Sequence, residues 1–233
     1  LIFEVRAATL RRQPGEVCFP GGRIEPGETP GLGPWRAFLE RRHKATEVVN
    51  IGLVGKYDLQ DAYKSILESL SQAGTYNDRK VVPCFINSEK LFNNNVEEKL
   101  KNMDGIVICP GFGQRGIEGK IVAAKYCREH NIPTFGICLG MQMMVVEYAR
   151  DVLGYEDANS VEMDEKTQHN VIDLMEEQKN ITNLGGTMRL GAYKCVLDEN
   201  SLVYNAYKVK EIEERHRHRY EFNNTYRKEF EQA

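Results

Sequence analysis

The chain has 233 residues and a formal net charge of −3, with 41% hydrophobic and 28% charged residues. This length suits one substantial α/β domain, alone or with a small appendage. The acidic balance gives no reason to expect a nucleic-acid partner, and no apolar run approaches the roughly 18 residues that a membrane span needs. The amino end lacks the pattern of a secretory signal, so we expect a cytoplasmic protein without a membrane partner.

The cysteines are scattered along the chain and form no C-x-x-C pair. This spacing predicts reduced thiols rather than a zinc site or a disulfide framework, and no metal site is expected. The six are Cys18, Cys84, Cys109, Cys127, Cys138 and Cys195.

Strands and helices are predicted to alternate from Val48 to Gly154. The apolar run VVNIGLVG predicts a buried strand, and DAYKSILESLSQAG has helical spacing. KVVPCFIN predicts a weaker strand that Pro83 interrupts, and EEKLKNM a short helix. DGIVIC and IPTFGIC predict two further strands, each followed by a helix. This alternation predicts a parallel sheet with helices on both faces, whose sites lie at the carboxyl ends of the strands.

The two ends of the chain differ from this middle part. Residues 1–30 are rich in glycine and proline, so we expect a fragment at 1–30, a linker at 31–47 and the main domain at 48–233. Beyond Asn159, EMDEKTQHNVIDLMEEQK predicts a short helical stretch and GGTMRLGAYKCVL predicts short strands. The basic cluster RHRHR lies among glutamates, which favours a solvated or substrate-facing turn over a nucleic-acid patch.

A cysteine between two glycines marks a candidate nucleophile. In FGICLG, Cys138 follows an apolar strand and precedes a helix, with Gly136 and Gly140 two residues away on each side. This is the thiol version of the G-x-S-x-G elbow, whose tight turn excludes side chains at both glycine positions. The helix N-terminus is expected to lower the thiol pKa and to provide oxyanion donors. The residues alone also fit a buried cysteine that ends a strand.

A second glycine turn, PGFGQRG, follows the strand DGIVIC. It has neither the G-x-G-x-x-G pattern nor the Walker ending, and a plain tight turn is an equal interpretation. Because it lies at the same sheet edge as Cys138, its backbone is a candidate for a second oxyanion N–H.

From about Gly33 to Ala233 the sequence resembles the glutamine amidotransferase domain of CTP synthase. The strings that carry the resemblance are NIGLVGKYDLQDAYKSILESL, DGIVICPGFGQRGIEGKI, IPTFGICLGMQMMVVEYAR, ANSVEMD, NLGGTMRLGAY and IEERHRHRYEFNN. The resemblance implies a flavodoxin-like class I amidotransferase fold. It also implies that L-glutamine is hydrolysed through a cysteine thioester, and that a synthetase domain or chain uses the ammonia to convert UTP to CTP. That conversion takes ATP and Mg²⁺, with GTP as an activator, and no cofactor is implied for this domain itself.

The resemblance also implies residue roles. Cys138 matches the nucleophile, and Gly111 and Leu139 match the oxyanion donors. The residues implied to bind glutamine are Gly111, Leu139, Gly140, Met141, Gln142, Glu162, Arg219 and Tyr220. Those implied to form a lid linked to GTP are Phe112, Gly113, Arg115 and Gly116.

Two departures from the family affect the expected activity. The family's general base belongs to a His-Pro-Glu step, and no such step occurs in these 233 residues. The synthetase domain is also missing, so we expect a chain that is incomplete at its carboxyl end and impaired in glutamine hydrolysis. The alternative is a catalytically inactive remnant that binds glutamine or a partner.

Residues 1–30 resemble a fragment of a Nudix hydrolase of the coenzyme A diphosphatase type. Gly22 and Glu28 fit the Nudix box, but Ala37 and Arg41 occupy the places of two metal-binding glutamates. A working diphosphatase is therefore the least favoured interpretation.

Overall fold

The computed structural model describes residues 4–5, 17–18, 33–57, 60–175, 192–215 and 218–233. Two short strands at the amino end, β1 (Glu4–Val5) and β2 (Val17–Cys18), pair antiparallel. Across these described ranges, no helix combines the length and the apolar character needed to span a bilayer. Gly22 and Glu28, which fit the Nudix box, lie outside the described residues.

Part of the predicted linker is helical. Helix α1 (Gly33–Lys44) has 12 residues, and Trp35 and Phe38 stack on its surface with ring centroids 5.4 Å apart. The guanidinium of Arg41 donates to both carboxylate oxygens of Asp78, at 2.5 and 2.7 Å. The helix is thereby tied to the loop that precedes the second strand of the main sheet.

Four parallel strands form the central sheet, in the spatial order β4-β3-β5-β6. The strands are β3 (Val48–Gly55), β4 (Lys80–Asn87), β5 (Gly105–Ile108) and β6 (Thr134–Gly136). β4 lies at an edge of this sheet, a position that tolerates Pro83. The parallel sheet predicted from the sequence is confirmed.

Helices cover both faces of this sheet. Side chains alternate between the faces along each strand. Leu53 and Val107 pack against α2 (Lys64–Tyr76), whereas Val54 and Ile108 pack against α3 (Val96–Leu100) and α4 (Ile117–Glu129). The flavodoxin-like arrangement is therefore present, with an apolar core on each side of the strands.

A smaller sheet lies beyond helix α5 (Leu139–Asp151). It contains β7 (Asn159–Ser160), β8 (Asn170–Leu174) and β11 (Tyr220–Phe222), in the order β11-β8-β7. Val171 and Ile172 of β8 pack in one core with Met143 and Val146 of α5. The short helical stretch predicted within residues 162–179 is wrong at 170–174, because pairing with β11 makes this segment a strand.

The remaining elements extend from the carboxyl part of the chain. β9 (Ala192–Val196) and β10 (Glu211–Arg215) pair antiparallel, and α6 (Leu202–Tyr207) lies between them in sequence. The last helix, α7 (Arg227–Gln232), is held against α5 by Phe230, whose ring stacks on Tyr148 at 5.4 Å. This contact packs the last helix against the core that α5 shares with the smaller sheet.

Candidate active site

Cys138 lies in a tight turn between β6 and α5. Its φ is +54° and its ψ is −116°, in a region that residues with a Cβ rarely adopt. A Cβ on Gly136 would lie 2.6 Å from the Met141 backbone, and one on Gly140 would lie 1.9 Å from the carbonyl oxygen of Ile108. Both glycines are therefore required by close backbone approaches, as expected for a nucleophile elbow.

The Cys138 thiol is half-buried, and burial raises its pKa above the usual value for cysteine. The Leu139 backbone N–H and the Lys120 ammonium favour the thiolate, while the negative charge of Glu162 opposes it. The prediction that the pKa of Cys138 is lowered is wrong, because desolvation of the thiol raises this pKa by more than the backbone N–H at the start of α5 lowers it.

The second glycine turn lies directly beside the elbow. β5 and β6 are neighbours in register, and the Ile137 N–H donates to the carbonyl of Ile108 at 3.0 Å. A Cβ on Gly111 would lie 3.6 Å from Cδ2 of Leu139, which is an ordinary contact. The backbone of Gly111 and the start of α5 therefore border the same small space near Cys138.

Two lysines brace the Gly111 turn, and the sequence interpretation had assigned neither. The Lys56 ammonium donates to the carbonyl of Phe112, and the Lys120 ammonium donates to the carbonyl of Cys109 at 2.6 Å. These side chains are only 8% and 0% exposed. A signal was present for Lys120, which interrupts an otherwise apolar helix face in GKIVAAKYC.

Three residues implied to bind glutamine come from two separate segments and lie around this space. The Glu162 carboxylate accepts from the backbone N–H of Gly113, and its pKa is raised by burial. Burial, followed by the negative charge of Glu162, raises the pKa of Tyr220, while the positive charge of Arg219 lowers it. A carboxylate and a guanidinium thus lie within electrostatic range of one phenol, next to the elbow.

Residues of α5 connect the elbow to the smaller sheet. Gln142 is buried, and its amide donates to the carbonyl of Tyr220 at 3.1 Å. Leu139 and Gly140 are also buried, and Met141 is half-buried. The site residues of the helix and those of β11 are therefore held in one unit.

The predicted lid residues form an exposed turn with two anchor points. Gly113 and Gly116 have φ of +70° and +77°, which favours glycine at both positions. Gln114 donates to the carbonyl of Met163 at 2.7 Å, and Arg115 pairs with Glu89 at 3.2 Å. Phe112 is 66% exposed and leaves the turn on the solvent side.

Two of the histidines in the described ranges, His130 and His169, have partners outside the elbow. His130 shares a hydrogen bond with the carbonyl of Tyr126, and His169 pairs with Asp157 at 2.5 Å. His216 and residues 176–191, which include most of GGTMRLGAY, lie outside the described residues.

This arrangement suits covalent acyl chemistry. A half-buried thiol on a strained turn, with backbone N–H groups from two adjacent strand ends, can attack a carboxamide and stabilise the oxyanion that forms. The sequence model of the class I glutamine amidotransferases matches residues 58–233. The chain belongs to this family.

The individual relatives refine the comparison. The chain is 72% identical to a CTP synthase of Bacteroides fragilis over 233 residues, which is 100% of this chain and 44% of that protein. It is 53% identical to a CTP synthase of Porphyromonas gingivalis, with 100% of this chain and 43% of the relative covered. The chain therefore spans less than half the length of these curated relatives.

A solved structure supports the same relationship. The chain superposes on the glutaminase domain of Trypanosoma brucei CTPS with bound acivicin, with a TM-score of 0.72 and 37% identity. The match covers 79% of this chain and 72% of that one. The Bacteroides match includes residues 1–30, so the comparisons lend no support to a Nudix-like fragment. The division of the chain into three parts stays a prediction.

Proposed function

We propose that this chain is the glutamine-hydrolysing part of a CTP synthase, with Cys138 as its nucleophile. The observation that carries the proposal is the strained elbow, which holds a half-buried thiol beside the Gly111 turn. Few roles other than nucleophilic attack explain a cysteine kept at positive φ between two glycines that cannot be replaced.

Substrate binding follows from the charges around the elbow. The Glu162 carboxylate suits the α-amino group of L-glutamine, and the Arg219 guanidinium suits its α-carboxylate. Both charges act on Tyr220, which the amide of Gln142 ties to α5. A glutamine held at both charged ends directs its carboxamide toward Cys138.

The chemical steps are an addition and an elimination. The sulfur of Cys138 bonds to the carboxamide carbon, and the carbonyl π electrons move to oxygen, which faces the N–H groups of Gly111 and Leu139. The carbonyl re-forms as the carbon–nitrogen bond breaks, and the leaving nitrogen takes up the proton that the thiol released, so that ammonia departs. Water then cleaves the remaining γ-glutamyl thioester to glutamate and the free thiol. In the whole protein, we propose that a synthetase domain uses this ammonia, with ATP and Mg²⁺, to convert UTP to CTP while GTP acts at the Phe112–Gly116 turn.

Turnover by this chain alone is expected to be slow. The 233 residues contain no His-Pro-Glu step to provide the base, and losing the base costs serine enzymes about 10⁴–10⁶ in rate. The raised pKa of Cys138 also slows turnover, because less of the thiol is ionised. The raised pKa of the Cys138 thiol favours one second candidate, a domain that binds glutamine without hydrolysing it.

Labelling with acivicin tests the proposal without requiring turnover. We expect acivicin to modify Cys138, L-glutamine to protect it, and Cys138→Ala to abolish the modification. Cys195→Ala is the matched control, because Cys195 is an exposed thiol in β9 outside the elbow. Glutamine that raises the melting temperature while acivicin leaves Cys138 unmodified would support the binding domain. Labelling of other cysteines alone, with no effect of glutamine on the melting temperature, would refute both candidates.

A further inference from the structure

A fully buried lysine lies beneath the Gly111 turn. Lys120 projects from α4 with 0% of its surface exposed, and its ammonium donates to the carbonyl of Cys109 at 2.6 Å. A Cβ placed on Gly111 would lie 3.6 Å from the Lys120 Nζ. The ammonium therefore lies against the backbone that borders Cys138.

Among the described residues, the ammonium of Lys120 has no carboxylate counter-ion. No ion pair between described side chains includes it. The titratable groups that act on it are the thiols of Cys109 and Cys138 and the ammonium of Lys56, and burial lowers its pKa to about 8. An uncompensated buried charge costs several kcal/mol, so a purely structural position would favour an apolar residue.

Of the two thiols that act on Lys120, Cys138 is the better placed to compensate this charge when it ionises. The other facing thiol, Cys109, is 0% exposed, and burial raises its pKa to about 12, so it stays neutral near physiological pH. Cys138 is more accessible, and Lys120 is among the groups that favour its ionised form. The reverse effect, of Cys138 on Lys120, follows from the same interaction.

We propose that Lys120 is a positioning residue for the nucleophile: its ammonium holds the Gly111 turn in place through the Cys109 carbonyl and favours the Cys138 thiolate by its positive charge. This inference rests on the proposed function, since it assigns Lys120 to the same site. As the sulfur–carbon bond forms, the negative charge moves from sulfur to the carboxamide oxygen beside the Gly111 turn. The same ammonium supports both positions of that charge.

The test compares Lys120→Met with Lys120→Arg. Methionine has a similar length and suits a buried site but carries no charge, whereas arginine retains it. Iodoacetamide modification of Cys138 is followed by peptide mass spectrometry across a range of pH. We expect Lys120→Met to raise the apparent pKa of Cys138 by about one unit and to slow its labelling at neutral pH about tenfold. Lys120→Arg should restore much of the rate, and labelling of the exposed Cys195 in the same samples should not change.

Labelling of Cys138 in Lys120→Met at the wild-type rate and with the wild-type pH profile would overturn the inference. If Lys120→Met does not fold, a titration of wild-type protein with ¹³C-labelled lysine decides. Converting Cys138 to its neutral carbamidomethyl form should lower the pKa of Lys120, because the electrostatic interaction between the two side chains acts equally on both. An unchanged titration of Lys120 would contradict the inference.

Failure of the proposed function has a different outcome. In that case L-glutamine neither protects nor acylates wild-type Cys138, whereas the dependence of Cys138 labelling on Lys120 remains measurable with iodoacetamide.

Discussion

Replacing Gly140 with alanine should displace the nucleophile. The added Cβ would lie 1.9 Å from the carbonyl oxygen of Ile108 and 2.7 Å from its carbonyl carbon. Both atoms are backbone at the end of β5, so no side-chain rotation relieves the overlap. The first turn of α5 must retreat from β5 by about 1 Å, and a displacement of that size at a reacting group costs on the order of 10²-fold in rate.

The effect on stability is smaller than the effect on reactivity. Overpacking costs about 1–3 kcal/mol, and alanine regains up to about 1 kcal/mol of helix propensity. We therefore expect Gly140→Ala to lower the free energy of unfolding by about 1–2 kcal/mol in urea titrations. The rate of Cys138 modification by acivicin should fall by at least tenfold on the same protein.

Gly33→Ala is the matched control for this substitution. A Cβ on Gly33, also in a helix, meets no atom within 4 Å, so its stability should stay within about 0.5 kcal/mol of wild type. A Gly140→Ala protein with wild-type stability and wild-type labelling of Cys138 would refute the proposed close contact between α5 and β5.

Three further substitutions test other parts of the structure. Arg128→Met leaves the buried Glu147 carboxylate without its partner at 2.7 Å. We expect the free energy of unfolding in urea to fall by about 2–3 kcal/mol, which is less than for a fully buried ion pair because Arg128 is partly exposed. Burial raises the pKa of Cys109 from 9.0 to about 12, so between these pH values the folded state keeps a proton that the unfolded chain releases, and the free energy of unfolding should fall as pH rises. Cys109→Ala should flatten this fall in denaturation measured across pH, and an identical slope would contradict the prediction. Gln114→Ala removes the hydrogen bond to the Met163 carbonyl, which should speed amide exchange at Gly113 and Arg115 in mass-spectrometric measurements; unchanged exchange would show that this bond does not hold the turn.

The central sheet could be predicted because its signals are local. Each buried strand is an apolar run, and each following helix has its own periodicity. The turn at Cys138 could be located for the same reason, since Gly136 and Gly140 lie within two residues of it. The pairing order β4-β3-β5-β6 required the structure, because register and spatial order depend on contacts between distant segments.

The smaller sheet was not predictable from local pattern. β8 and β11 are five and three residues long, and their pairing joins Tyr220 to Leu174. Both strands lie in mostly polar surroundings, so neither stands out as an apolar run flanked by a periodic helix. Glu162 and Arg219 were assigned only through family resemblance, because an isolated carboxylate and an arginine in a charged segment most often face solvent.

Burial explains the remaining differences. The sequence places Cys138 at a helix start, which alone predicts a lowered pKa, but the desolvation that reverses the shift depends on how neighbouring elements cover the thiol. Lys56 and Lys120 were missed for a related reason. A lysine is almost never fully buried, so sequence reasoning assigns it to the surface, and only the apolar neighbours of Lys120 in its helix pointed the other way.

The most direct test of the account is to find the covalent intermediate. The chain is incubated with L-glutamine, quenched in acid and digested, and its peptides are searched for an added γ-glutamyl group. The account predicts this group on Cys138 in the wild-type protein and in Cys195→Ala, and its absence in Cys138→Ala. A glutamyl group on another residue, or ammonia release that persists in Cys138→Ala, would contradict the assignment of Cys138 as the nucleophile.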